Sequence, residues 1–397
     1  MSYEPRLTIK TAENSKLEMS PITMLHSNQS DVQPANSQLE PEVSSSFKTE
    51  ELSAALRSAE SRIKQNPSDP EALAKLGSCY LQFNELDLAL RIYKELITVQ
   101  PNNSEAHYNL GIVFGKLNKY DQAILANQEA IRLNDNHANA YNALGVLLMK
   151  LERHDQAVDA FRNAIERDKK SAITFHNLGV AISEGVKLNK NINTEEAISA
   201  FRNAISIKPH FPKARNNLAK LHLEQHEFEH GFKLAESRWE ANNWELPKSD
   251  KPVWEGQSGR KVLVWPEQGI GDEIMFASTL SDLSEVSQKV LLLADPRLVS
   301  LYSRSFGASV EVLPKDTNVH QIDYDHHISI GSLPKFFRKQ TIDFKTAASG
   351  FLKADRGTSR QLRQILKTNS HKKIIGLSWH TNSKIPHAYK RNIDFIM

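Results

Sequence analysis

The stretches LGIVFGKLNKYDQAI (110–124) and LGVLLMKLERHDQAV (144–158) are two copies of one pattern set 34 residues apart. Each opens on a leucine–glycine pair and places an alanine twelve residues after the glycine. Working outward, Leu76–Gly77 with Ala89 precedes them and Leu178–Gly179 follows, so four glycines keep the period: Gly77, Gly111, Gly145 and Gly179. In the fourth copy the alanine is Ala197, six residues late. The insert around KLNKNINT (187–194) must lengthen either the loop or the first helix there. Copies end at Pro101, Asp135, Lys169 and Pro209, and a half-copy, ELSAALRSAESRIKQNP (51–67), comes first.

This pattern resembles the tetratricopeptide repeat, whose unit is a helix–turn–helix of 34 residues. The spacing has a physical reason. Two antiparallel helices approach closely only where side chains are small, hence glycine in the first helix and alanine in the second. Tyr80, Tyr93, Phe114, Tyr141, Phe161, Phe175 and Phe201 fill the remaining space. One unit cannot bury its own apolar face, so units stack into an α-solenoid whose concave groove is the expected partner surface. A degenerate fifth unit (211–240), with Ala219 for the glycine and Gly231 for the alanine, is expected to cap the stack. Asn109, Asn177 and Asn217 share the position before the leucine, and Ala143 interrupts the line. Such a line resembles the ladder that grips a peptide in the O-linked N-acetylglucosamine transferase family. The alternative is bonding between neighbouring helices.

The bulk properties bound the rest. The chain has 397 residues, 40% of them hydrophobic, and a net charge of +3. It can build real cores, and as a whole it is no polycation for nucleic acid. One cysteine, Cys79, allows no internal disulfide and suits a reducing, cytoplasmic setting. No apolar run reaches the roughly 20 residues of a membrane span, and no secretory signal is read. Residues 1–47, with SNQSDVQPANSQLEPEVSSS, are too polar to offset their ordering entropy and read as a tether. The solenoid is placed at 48–244 and a polar linker at 245–260.

After the linker the period changes. KVLVW (261–265), KVLLLA (289–294), SVEVL (309–313), HHISI (326–330) and KIIGLSW (373–379) have the length of strands, with a helix spaced on Ile274, Phe276, Leu280 and Leu283. Alternation of this kind means parallel βαβ units and an α/β, Rossmann-like lobe. EQGIGDE (267–273) then occupies the first β–α turn, where open α/β sheets bind ligands. A dinucleotide fingerprint fits Gly269 and Gly271, with Asp295 at the second strand's end, but its third glycine is Ile274. The adjacent His326 and His327 near Asp323 and Asp325 point to opposite faces of a strand, so a metal site is not expected. Trp265 and Trp379 read as core.

The string VWEGQSGRKVLVWPEQGIGDEIMFAS, with LLLADPRL, YDHHISIGSLP and GLSWHTNS, resembles bacterial glycosyltransferases that carry tetratricopeptide repeats before a GT-B region. That region is similar to the ADP-heptose:lipopolysaccharide heptosyltransferases. The resemblance implies the first half of a GT-B fold at 261–372 and the start of a second lobe at 373–397, the second lobe almost entirely missing. It implies a metal-independent transfer, with no cofactor and a nucleotide sugar as donor substrate. Asp272 would be the general base that accepts the acceptor hydroxyl's proton, unless it only caps the helix. Glu267, Gln268, Gly269 and Gly271 would contact substrate, or Glu267 and Gln268 would brace the loop. Lys390 and Arg391 would meet the donor diphosphate. The sequence therefore sets two expectations side by side: a glycosyltransferase-derived chain lacking independent activity, or a scaffold acting through its groove.

Overall fold

A computed structural model describes residues 45–188, 194–267, 269–344 and 350–365. The strand expected at 373–379, and Gln268, Trp379, Lys390 and Arg391, lie outside them, as does the tether expected at 1–47 except for residues 45–47, which begin a helix. The described residues from Ser45 to Ala235 are built of helices. A leading helix, α1 (Ser45–Gln65), is followed by antiparallel pairs: α2 (Pro70–Gln82) with α3 (Leu86–Val99), α4 (Ser104–Lys116) with α5 (Tyr120–Leu133), and α6 (Ala138–Lys150) with α7 (His154–Arg167). Then come α8 (Ala172–Leu188) with α9 (Thr194–Ile207) and α10 (Pro212–Glu224) with α11 (Phe228–Ala235).

The small residues sit where the pattern requires them. A Cβ on Gly145 would lie 2.6 Å from the ring of Phe161, and one on Gly179 2.7 Å from that of Phe201. On Gly77 it would lie 2.9 Å from Tyr93. Each ring is at most 1% exposed, and burying one contributes about 1.5–3 kcal/mol. In the second unit Asn127 takes the aromatic position, 2.3 Å from a Cβ on Gly111. Its Nδ2 donates to Ala123 O at 2.8 Å, and its buried Oδ1 has no partner.

The turns inside the units are equally regular. Asn84, Asn118, Glu152 and His226 take positive φ of 58–64° just past the first helix. The next amide closes each turn, from Glu85, Lys119, Arg153 and Glu227 to Tyr80 O, Phe114 O, Leu148 O and His222 O at 2.8–2.9 Å. This is a Schellman ending. The insert of the fourth unit lengthens the first helix: α8 has 17 residues, against 13 in α2, α4, α6 and α10. Successive first helices (α2, α4, α6, α8) also touch one another, forming the inner layer of the stack.

A four-residue helix, α12 (Arg238–Ala241), leads into the second region. Its core is a parallel sheet of β1 (Lys261–Trp265), β2 (Lys289–Ala294), β3 (Val310–Pro314) and β4 (His326–Ser329), in the order β3-β2-β1-β4. The crossover from β1 to β2 is broken into α13 (Ile270–Ala277) and α14 (Leu280–Val286), and α15 (Pro296–Phe306) joins β2 to β3. One face of the sheet (Val262, Val264, Leu292) packs on Ala277, Leu280 and Leu283 from these helices. The other (Leu263, Leu291, Leu293) packs on Tyr324, with Trp265 and Ile322. Burial on both faces explains why the strands read as unbroken apolar runs. Two further α-helices, α16 (Pro334–Phe337) and α17 (Arg356–Ile365), follow β4.

The segment expected to be a linker is partly structural. Trp254 is 1% exposed, meets Phe336 edge-on and stacks on Phe337. Its amide donates to His327 O, and His327 N donates to Pro252 O, so this stretch shields the β4 edge. Asp323 and Asp325 are both engaged with Lys261, by an ion pair of 2.5 Å and by its backbone amide at 2.9 Å. Among the described residues no group of three or more His, Cys, Asp or Glu could hold a metal, and no helix is long and apolar enough to cross a membrane.

Candidate functional site

The first β–α turn leaves β1 after Trp265 and enters α13 at Gly269, whose φ of 97° favours glycine. Gly269 is the N-cap, and Asp272 stands in the first turn. Its Oδ2 lies 3.0 Å from where a Cβ on Gly269 would be, so the carboxylate folds back over the helix start. Gly271 is exposed on the same turn. A carboxylate here gains from the positive end of the helix.

Glu273, which the sequence reading passed over, points the other way. It is 2% exposed, and its Oε1 accepts the Asp295 amide at 3.3 Å. Burial raises its pKa, and that amide works against the rise. Asp295 ends β2 and caps α15. Arg297 holds it at 2.8 and 3.1 Å and Lys315 at 3.2 Å. The Arg297 guanidinium and amide, then Lys315, keep its carboxyl well below the usual carboxylate range.

Glu273, Asp295, Arg297 and Lys315 line a cavity of about 580 Å³ at the carboxyl ends of β1, β2 and β3. Trp265, Glu267, Gly269 and Ile270 belong to its wall, and Trp239 and Trp244 close it from the end of the solenoid. Asp272 is not among the lining residues. Trp265 thus lines a ligand-sized space as well as packing on the sheet.

Glu267 was expected among the substrate contacts, with bracing as its other reading, and its geometry is that of a brace. Arg238 donates to both its oxygens, at 2.6 and 3.0 Å, and Gly331 N donates at 2.9 Å. A Cβ on Gly331 would lie 2.4 Å from Glu267 Oε1, so glycine admits the carboxylate. Arg238 also donates to Ala235 O, Glu236 and Ser332 Oγ at 2.8–3.1 Å. Burial disfavours the Arg238 charge, but Glu267 and Glu236 more than offset it and raise its pKa. Lys335 adds an ion pair to Glu236 at 2.9 Å, and Phe228 meets Phe344 at 4.6 Å between ring centres. These contacts bind the last repeat to the sheet region.

Of the two readings of the asparagine line, the contacts follow bonding between neighbouring helices at Asn177 and Asn217. Asn109 donates to Glu105 in its own helix at 3.3 Å. Asn177 is 0% exposed and donates to Asn142 Oδ1 at 3.1 Å. Asn217, 7% exposed, bonds His176 Nε2 at 3.3 Å and accepts from Lys220 at 3.1 Å. Asn142, one residue before Ala143, therefore continues the line, and the amides of Asn177 and Asn217 join neighbouring repeats rather than facing a groove.

The Tetratricopeptide repeat family matches residues 43–106, 104–137 and 138–171. FlbA of Caulobacter vibrioides is 30% identical over 136 residues, which are 32% of this chain and 22% of FlbA. Among solved structures, MamA 41-end from Desulfovibrio magneticus RS-1 is 21% identical, covering 44% of this chain and 93% of that one with a TM-score of 0.37. YrrB, described as a TPR protein with an unusual peptide-binding site, is 19% identical, covering 47% of this chain and 92% of that one with a TM-score of 0.38. The family matches overlie helices α1 to α7, and these helices are tetratricopeptide repeats.

Proposed function

We propose that this chain is an interaction scaffold that seats a protein or peptide on the concave face of its solenoid. The observation that carries this reading is the stack of first helices, which gives the repeats an inner layer with its own surface. On α6 Asn139, Val146 and Lys150, spaced for one helix face, belong to that surface, with Asn139 and Lys150 exposed. A photo-cross-linking amino acid placed at Asn139 or Lys150 should capture a discrete partner. The same probe at Arg132 or Asp159, on the second helices, should not. Capture confined to Arg132 and Asp159 would overturn the reading.

A second reading concerns the sheet region: descent from a repeat-bearing glycosyltransferase, with a nucleotide sugar as donor and Asp272 as base. The cavity at the carboxyl ends of parallel strands supports it, since open α/β sheets bind ligands there. In this reading Gly269 and Gly271 leave room for the acceptor, while Lys390 and Arg391 are the cations for the donor diphosphate. Transfer of labelled sugar from a nucleotide sugar, lost in Asp272→Asn without a change in melting temperature, would support it. Transfer retained in that variant would remove Asp272 as base.

A further inference from the structure

A second cavity, of about 630 Å³, opens where the last two repeats meet the sheet region. Its chemistry begins at the turn that joins α10 to α11. His226 takes a φ of 64° there, and the Glu227 amide donates to His222 O at 2.8 Å, so the chain doubles back. The Glu227 carboxylate returns with it and accepts from His222 Nδ1. The His222 ring is 4% exposed, and its Nε2 has no partner among the described residues. Leu218, one turn before His222, joins Phe228 and Leu234 of α11 as the apolar part of the lining.

The charges select the ligand. Arg202 of α9 and Lys339, just past α16, are the full cations of the lining, and both are exposed. Neither side chain makes a hydrogen bond or a close ion pair among the described residues. Of the two carboxylates, Glu227 is engaged by His222 and Glu229 by Lys233 at 2.8 Å, with weaker attraction to Glu229 from Lys339 and His230. With both imidazoles neutral, Arg202, Lys339 and Lys233 stand against two carboxylates, a surplus of one positive charge. A cation would add to that surplus. A phosphate group, at about −1.5 to −2, overshoots it, and a single carboxylate balances it. His230 makes no hydrogen bond among the described residues, so it can turn an N–H to the anion. While Glu227 holds the Nδ1–H of His222, the Nε2 of a neutral ring is an acceptor, which suits a ligand N–H.

We propose that this cavity binds the carboxylate end of an apolar amino acid. The carboxylate lies on Arg202, Lys339 and His230, the neighbouring N–H donates to His222 Nε2, and the side chain packs on Leu218, Phe228 and Leu234. Two sources carry this chemistry: a free amino acid and the last residue of a peptide. The volume falls within the usual range for small-molecule sites. The site is composite, because the fourth repeat supplies Arg202, the fifth supplies the imidazoles and the apolar part, and the sheet region supplies Lys339. None of these residues lines the cavity over the strands, so the inference is independent of the transferase reading. Arg202, Phe228 and His230 stand on second helices, apart from the inner layer on which the scaffold reading rests.

The experiment titrates the full chain by calorimetry with leucine, N-acetyl-leucine, a tetrapeptide ending in leucine, N-acetyl-leucinamide and inorganic phosphate. Saturable binding of a leucine carboxylate is expected at millimolar concentrations, with the amide, which lacks the charge, weaker by roughly tenfold or more. Leucine binding as tightly as the acylated compounds names the free amino acid as the source, and binding confined to the acylated compounds names a peptide end; either result supports the site. Arg202→Gln and Lys339→Gln should each weaken binding by roughly tenfold. Both side chains are exposed, so unchanged melting temperatures separate lost binding from lost fold. The inference is overturned by the absence of any response to the carboxylates, by an amide that binds as tightly as the acid, by phosphate binding more tightly than every carboxylate, or by binding that both variants leave unchanged.

Discussion

The repeats and the sheet region differ in how their important contacts are encoded. In the repeats, partners lie a fixed distance apart: Gly145 clears Phe161 sixteen residues on, and Gly77 clears Tyr93 at the same distance. In the sheet region the deciding contacts cross long gaps. Glu267 meets Arg238 from the last repeat and Gly331 from the turn after β4. Stability of the first kind is spread over copies of one joint, whereas the second kind depends on single residues. A single substitution should therefore do more harm at the seam than within the stack.

Arg238→Ala tests that difference most severely. It leaves the Glu267 carboxylate, 5% exposed, without its charged partner, and breaking such a pair costs about 3–5 kcal/mol. Thermal unfolding followed by calorimetry should show the sheet region melting early and the repeats later; one unshifted transition would contradict the brace. Gly145→Val comes next. The ring of Phe161 is 0% exposed, so the added carbons overpack the joint, costing about 1–3 kcal/mol. The helical signal should melt at a lower temperature, and the tryptophan signal of the seam should lag behind it.

Asn127→Phe should act in the opposite direction. It replaces a buried amide lacking one partner with the residue type found at Phe161 and Phe201, and such repairs contribute roughly 0.5–2 kcal/mol. A lowered melting temperature would mean that the second unit needs its amide. Glu273→Gln carries the smallest change and depends on pH. Burial raises the folded pKa of Glu273 above 4.5, so the folded state binds its proton more tightly than the unfolded state does. Its contribution is greatest in acid, where it is protonated, and declines as pH rises from 4.5 through the folded value. The variant should be more stable than the parent at pH 7 and similar to it at pH 4. Asp295 opposes this trend, because its pKa is lowered and its contribution disappears as pH falls below 3.8.

These differences also govern what the sequence could reveal. The 34-residue period located the helix pairs because each copy repeats the same contact between a glycine and the partner helix. Asn84 and Asn118 fall at the left-handed turn positions, but Glu152 and His226 adopt the same conformation without the residue type that would signal it. The first four strands were readable as apolar runs. Glu273 was less hidden than it looked, since it shares a helix face with Ala277, which is fully buried. The brace role of Glu267 could not be singled out, because Arg238 is 29 residues away on another element. Trp239, Trp244 and Trp265 were equally unreadable as a group, because only the docking of the last repeat brings them to one cavity. The asparagine line was half visible. Its position in the repeat was right, but Asn142 shows that the bonding partner shifts by one residue between copies.

The most direct test is amide hydrogen exchange on the full chain, with and without a partner captured from the concave face. The account predicts slower exchange in the first helices α4, α6 and α8, with α5 and α7 unchanged. Protection confined to α5 and α7, or to the sheet region, would contradict it.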